Sequence, residues 1–319
     1  MKDIIISVIC MDDNKKVVII GTGFVGMSCA YALLNQNACD ELVLIDINVE
    51  KAKGEAMDLN HSLAFSPAEM KIYCGKYSDC RDADIIVIAA GVNQKEGESR
   101  IDLLKRNRTV FQSIIAPVID SGFDGIFLIA TNPVDIMTYI TKELSGFDKS
   151  KVIGTGTSLD TARLRYLLGH FLDISPKNIH AYVMGEHGDS EMIPWSQATA
   201  GTKPILSICN DKDSLKKIAE DVRCAAGEII KAKNATYYGI GMALVRIIKS
   251  ILNNENSIIT VSAYLEGEFG FHDVYAGVPS VINRSGFREI VEVKFTDEEY
   301  RKFSESCNFL KTTTDKIRN

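Results

Sequence analysis

Four runs of consecutive apolar residues mark the first 150 positions: Val17-Val18-Ile19-Ile20, Leu42-Val43-Leu44-Ile45, Ile85-Ile86-Val87-Ile88 and Ile126-Phe127-Leu128-Ile129. Runs that do not alternate with polar residues suit strands covered on both faces, as in a parallel sheet. Between them apolar positions fall at helical spacing, first Ala30, Leu33 and Leu34, then Ala52, Ala56, Leu59 and Leu63, and again near Leu103. Lys71-Ile72-Tyr73 adds a short strand. Strands alternating with helices predict a doubly wound parallel sheet, whose right-handed crossovers bring the strand ends to one ligand-binding edge. The turns after Gly21, Gly91 and Thr131 are expected to converge there. The polar stretch Val92 to Arg100 is too long for a tight turn and reads as an active-site loop.

Beyond residue 150 the rhythm changes. Gly154-Thr155-Gly156-Thr157-Ser158 interrupts the alternation and caps a helix through Asp160, Arg163 and Leu167. Asn178 to Met184 reads as a strand ending in Gly185-Glu186-His187-Gly188-Asp189-Ser190. Lys216 to Ser250 is largely helical with a break near Thr236 to Gly241. Short strands are expected at Ser257 to Tyr264, Gly277 to Ile282 and Glu289 to Val293. A last helix starts after a Thr296 cap, with three acids in its first turn. The fold class is α/β: a doubly wound parallel sheet over residues 1–154, then a mixed α/β half over residues 155–319. The helix around Tyr238 to Leu252 is expected to return and pack on the first half.

The first apolar run ends in Gly21-Thr22-Gly23-Phe24-Val25-Gly26, and the second ends in Asp46. Strand, glycine turn, helix, strand and acid is the order that holds a dinucleotide in a Rossmann sheet. Gly21 permits the tight turn, Gly23 lets the backbone approach a pyrophosphate, and Gly26 lets the helix lie close to the strand. The helix start offers free N–H groups to the phosphates. Asp46, 20 residues beyond Gly26, is placed to accept hydrogen bonds from a ribose, and its charge repels a 2′-phosphate. The expected cofactor is NAD, held by Gly21, Gly23, Phe24, Val25, Gly26, Asp46 and Gly91.

The net charge of −6, with no dense basic cluster, argues against nucleic acid as a partner. No apolar run approaches the length of a membrane helix. Ile4 to Cys10 has one preceding positive residue and an acidic exit, unlike a signal peptide, and reads as an N-terminal arm of a cytoplasmic protein. Eight scattered cysteines without a Cys-x-x-Cys pair indicate neither a metal site nor a disulfide framework, so buried free thiols are expected.

Histidine suits a reaction that moves a proton in both directions, because its ordinary pKa lies near 6.5. His187 stands between Gly185 and Gly188, which permit close approach of a ligand. Asp160 and Arg163, three apart, share a helix face. These residues, with Asn93-Gln94-Lys95, Arg100, Thr131-Asn132-Pro133-Val134-Asp135, Ser158 to Arg163 and Ala235-Thr236-Tyr237-Tyr238-Gly239, make the chain resemble the lactate/malate dehydrogenase family, on its bacterial L-lactate side. The resemblance runs from Lys15 onward.

It implies a hydride exchange between NADH and pyruvate, with His187 as acid and base, Asp160 bonded to its far nitrogen and Arg100 polarising the substrate carbonyl. It further implies Arg163 on the substrate carboxylate, Asn132 beside nicotinamide and substrate, and Ile240 against the nicotinamide ring. Malate dehydrogenases carry arginine where this chain has Gln94. A neutral Gln94 with Thr236 opposite suits pyruvate, although Lys95 is a neighbouring cation. Malate dehydrogenase, branched-chain 2-hydroxyacid dehydrogenase and a non-catalytic NAD-binding protein stay open as alternatives. By the same resemblance the protein is a homotetramer. Arg165, about 200° around the helix from Arg163, and His180 then match positions that bind fructose 1,6-bisphosphate across a subunit interface.

Overall fold

The computed structural model describes residues 14–92, 97, 99–209 and 211–318, without the side chain of Arg100. The arm Ile4 to Cys10 lies outside the described residues. The first half runs β1 (Lys16–Ile20), α1 (Phe24–Asn35), β2 (Glu41–Ile45), α2 (Val49–Ser62), β3 (Lys71–Cys74), β4 (Ile85–Ile88), α3 (Arg100–Asp120), β5 (Ile126–Ile129), α4 (Val134–Ser145) and β6 (Val152–Gly154). The remainder runs α5 (Ser158–Leu172), β7 (Ile179–His180), β8 (Thr199–Ala200), β9 (Lys203–Pro204), α6 (Ile205–Ile208), α7 (Lys212–Lys233), α8 (Tyr238–Leu252), β10 (Ser257–Glu266), β11 (His272–Asn283), β12 (Gly286–Ile290) and α9 (Asp297–Arg318).

Each of the four apolar runs is a strand buried along its whole length. They form the centre of a nine-stranded sheet of order β12-β11-β10-β6-β5-β4-β1-β2-β3. All pairings from β3 across to β6 are parallel. The chain leaves β1 in one direction for β2 and β3 and later in the other for β4, β5 and β6, so the switch point lies between β1 and β4. The last three strands join antiparallel to β6, with Ser262 opposite Gly154. A side chain at Gly154 would strike Thr138 Oγ1 at 2.3 Å, which is why the two halves meet at a glycine. α8 does return to the first half: at Gly241 the helix lies so close to α1 that a Cβ would meet Ser28 at 2.8 Å.

Several elements depart from the sequence pattern. α4 is an element the pattern reading did not include, and Val134 through Thr141 in it are all buried. β10 and β11 are long strands of 10 and 12 residues rather than short ones, and β12 starts at Gly286, three residues before the expected strand. The expected strand from Asn178 to Met184 shrinks to Ile179–His180. Its downstream backbone is taken by hydroxyls of the neighbouring helix: Val183 N donates to Thr161 Oγ1 at 2.9 Å, and Thr157 Oγ1 donates to Val183 O at 2.6 Å. Strand-like residues there satisfy their backbone without a strand partner. Thr296 caps α9 as expected, with Glu299 returning a bond to the Thr296 amide at 2.9 Å. Of the cysteines, Cys29, Cys39, Cys80, Cys209 and Cys307 are buried free thiols, whereas Cys224 is exposed on α7.

Candidate active site

The glycine turn is built by exclusion. A Cβ on Gly21, whose φ is +102°, would meet Ala90 N at 2.6 Å, and one on Gly26 would meet Gly21 O at 2.0 Å. Gly23 faces open space, with nothing within 4 Å of the position its Cβ would take. α1 starts at Gly23 without a side-chain cap or an acid in its first turn. Its N–H groups are thus open to an anion, and the turn fits a pyrophosphate. Asp46 closes the turn from behind, accepting from Thr22 N at 2.7 Å and Thr22 Oγ1 at 2.9 Å. Burial pushes its carboxyl up, but the amides of Asn48 and Thr22 hold it below the ordinary carboxylate range, so it stays charged. Val25 packs on the core, while Phe24 is exposed and stacks on Tyr237 with ring centroids 5.1 Å apart.

Two more loops meet beside that turn. Thr131 Oγ1 donates to Ala90 O at 2.7 Å, and a Cβ on Gly91 would strike Thr131 at 2.7 Å. This ties the loop after β4 to the loop after β5 and sets exposed Asn132 at the edge of the sheet. Thr236 sits in the link between α7 and α8, next to the Tyr237 that stacks on Phe24. Ile240, in the first turn of α8, is partly buried against the core.

Asp135 and Asp160 stand in the first turns of the helices that follow β5 and β6, on the same carboxyl edge as the glycine turn. Asp160, 2% exposed, accepts from His187 Nδ1 at 2.6 Å through one oxygen and from Arg163 NH1 at 2.7 Å through the other. Asp135 accepts the His187 amide at 2.9 Å and the Ser262 hydroxyl at 2.6 Å. One carboxylate thus holds the ring and the other holds the backbone beneath it. From α9, Ser306 Oγ accepts the Glu186 amide at 2.7 Å and lies 3.0 Å from Ser190 Oγ.

Burial works against the His187 imidazolium, but the charge of Asp160 and the bond to it prevail, and the pKa is lifted to about 9. Asp160 is itself opposed by burial, yet the His187 and Arg163 charges hold its carboxyl below the usual range. His187 therefore carries its proton at neutral pH, with Nε2 left to exchange it.

Sequence reasoning gave no role to Asp135, Ser262, Ser306 or Glu191. Asp135 lay inside a quoted motif, but the partners of these residues come from elements far apart in the chain. The ligand atoms of Glu191, Asp160 and His187 all lie within 4.8 Å of one another. Arg163 already neutralises Asp160 there, which disfavours a metal ion. Gln94, Lys95 and the Arg100 side chain lie outside the described residues. Arg165 does point away from Arg163: its Nε donates to Ala181 O at 3.1 Å and its guanidinium covers the Tyr182 ring. His180 is exposed on β7.

A dinucleotide turn and an imidazolium held by a buried carboxylate, on one edge of one sheet, define a nicotinamide-dependent dehydrogenase. The chain belongs to the lactate/malate dehydrogenase family: the family's NAD-binding domain matches residues 15–154 and its α/β C-terminal domain residues 157–319. It is an NAD-dependent oxidoreductase. L-lactate dehydrogenase 2 of Bacillus cereus (strain ZK / E33L) is 55% identical over 304 residues, 94% of this chain and 97% of the relative. The crystal structure of the minor L-lactate dehydrogenase of Enterococcus mundtii in its ligands-bound form superposes with a TM-score of 0.94 at 48% identity, covering 96% of this chain and 99% of that one. MGS-M5, a lactate dehydrogenase from a Medee basin deep-sea metagenome library, gives 0.93 at 51% identity and the same coverage.

The last two glycines of the turn are expected to fail differently. Gly26→Ala forces a methyl into a backbone carbonyl, so both thermal stability, by about 1–3 kcal/mol, and NADH affinity fall. Gly23→Ala has room in the fold, so it melts like the parent while NADH binding weakens. Thermal melts with NADH fluorescence titrations check this; equal stability losses in both variants contradict it.

Proposed function

We propose that the chain is an L-lactate dehydrogenase, reducing pyruvate to L-lactate and running the reverse. The observation that carries this is Asp160 bridging His187 and Arg163. One carboxylate orients both the proton donor and the cation that suits a substrate carboxylate. NADH, when bound, supplies the hydride. Arg163 takes the pyruvate carboxylate in its planar fork, beside the bond it already gives Asp160. His187 Nε2 gives its proton to the carbonyl oxygen as C2 receives the hydride, and Asp160 then keeps the neutral imidazole in the tautomer that can be reprotonated. In the oxidative direction the same nitrogen takes the hydroxyl proton. Arg100 polarises the carbonyl, Asn132 and Ile240 flank the nicotinamide, and Thr236 and Gln94 take up the rest of the substrate. The neutrality of Gln94 supports a monocarboxylate, since a second carboxylate would be desolvated without a partner. Residues 1–154 form the NAD-binding domain and 155–319 the substrate and catalytic domain, a division supported by the extents of the two family domains.

The same reading makes the protein a cytoplasmic homotetramer. Among the described residues no helix is long and apolar enough to cross a membrane, and the described cysteines are free thiols, which suits a reducing compartment. An apolar groove of about 640 Å³ between α1 and α8, with Phe24, Tyr31, Tyr238 and Met242 exposed along it, supports a subunit contact. Arg165, held on Ala181 next to exposed His180, supports fructose 1,6-bisphosphate as an effector bridging two subunits.

Absorbance at 340 nm with NADH, offering pyruvate, oxaloacetate and a bulkier 2-keto acid in turn, tests the activity. His187→Ala is expected to lower kcat by about 10²–10⁴-fold while NADH still binds; a kcat within about tenfold of the parent overturns the assignment. Gln94→Arg is expected to shift the specificity-constant ratio toward oxaloacetate by at least about tenfold, the worth of one charged hydrogen bond. An unmoved ratio assigns selectivity elsewhere. Millimolar fructose 1,6-bisphosphate is expected to lower the half-saturating pyruvate concentration. Arg165→Gln removes that response; activation surviving in the variant rejects the site.

A further inference from the structure

Glu191 has no part in the mechanism above, yet it stands where a substrate anion must enter. Its amide donates to Gly188 O at 3.1 Å, closing the turn that follows His187. That turn brings the carboxyl back so that its oxygen, an Asp160 oxygen and a His187 ring nitrogen lie within 4.8 Å of one another. The groups facing it are Asp160 and Arg163 on α5, His187 on its own turn and Arg223 on α7. Asp135 on α4 faces His187 from the other side. Arg163 is committed through NH1 to Asp160, and Arg223 is bonded to Glu220. Neither cation is dedicated to Glu191, and the nearest fixed charge of its own sign is Asp160.

A 2-keto acid arrives as an anion and is drawn to Arg163 and His187, into this same cluster. An ionised Glu191 adds one negative charge just there, in a partly buried site that screens it only weakly. A protonated Glu191 adds none and can donate a hydrogen bond. We propose that Glu191 must carry a proton for the anionic substrate to bind, so that binding depends on a proton at Glu191 as well as the one at His187. The electrostatics agree: burial first, and then the charge of Asp160, push the Glu191 carboxyl up to about 8 against the pull of His187, Arg163 and Arg223. At neutral pH Glu191 is neutral and the site is ready. As pH rises through about 8, Glu191 ionises before His187, at about 9, loses its own proton.

This inference rests on the proposed reduction of an anionic keto acid, and the test separates the two. kcat/KM for pyruvate is measured from pH 6 to 10 in the parent and in Glu191→Gln, comparing the shapes of the profiles. With groups at about 8 and 9, kcat/KM in the parent falls roughly 20-fold between pH 6.5 and 9, with a limiting slope near −2, whereas the variant falls roughly twofold with a slope near −1. Superimposable profiles overturn the role of Glu191; a parent inactive on pyruvate overturns the reading beneath it. A second measurement needs no variant. Oxamate, the unreactive amide isostere of pyruvate, is titrated calorimetrically into the NADH complex at pH 8.5 in buffers of different ionisation enthalpy. Uptake near one proton per site supports the proposal, and about a quarter of a proton, the share of His187 alone, rejects it.

Discussion

Burying a carboxylate costs several kcal/mol unless both oxygens find matched donors, and Asp160 is 2% exposed. Its two oxygens are spent on two cations, the His187 ring and the Arg163 guanidinium, at 2.6 and 2.7 Å. The arrangement fixes three things at once. It selects the His187 tautomer, keeps the imidazolium protonated at neutral pH, and holds an arginine from the same helix face beside that imidazolium. Removing that carboxylate would leave two like charges facing each other in a dry site.

The turn that carries His187 is tied down by side chains from elsewhere in the chain. Asp135 from α4 takes the His187 amide, Ser262 on β10 orients Asp135, and Ser306 on α9 takes the Glu186 amide. Gly185 N and O both pair with Gly277 on β11. Glycine is required at Gly185, since a Cβ there would meet Ser306 Oγ at 2.5 Å. With Asp160 on α5, His187 is thus placed by five elements, each satisfying a backbone or side-chain group that would otherwise be buried without a partner.

The sheet supplies the common frame for cofactor and chemistry. The glycine turn follows β1, Asp135 follows β5 and Asp160 follows β6, so parallel strand direction alone places all three on one edge. The Phe24–Tyr237 stack joins the glycine turn to the α7–α8 link, so the second half of the chain borders that turn.

Much of this was determined by the sequence alone. Uninterrupted apolar runs fixed the central strands, because a strand covered on both faces tolerates no polar position. The spacing Gly21, Gly23, Gly26 and Asp46 fixed the cofactor turn, because each glycine is needed for a steric reason local to strand, turn and helix. Asp160 and Arg163 were legible as a pair because three residues along a helix means one face. Only the tertiary structure decided the rest. The strand expected over Asn178 to Met184 dissolved because Thr157 and Thr161 hydroxyls took its hydrogen bonds. Asp135, Ser262, Ser306 and Glu191 acquire their meaning from neighbours between 4 and 127 residues away in the chain. No local pattern announces such partners, since a buried polar group is explained by what lies across from it in space.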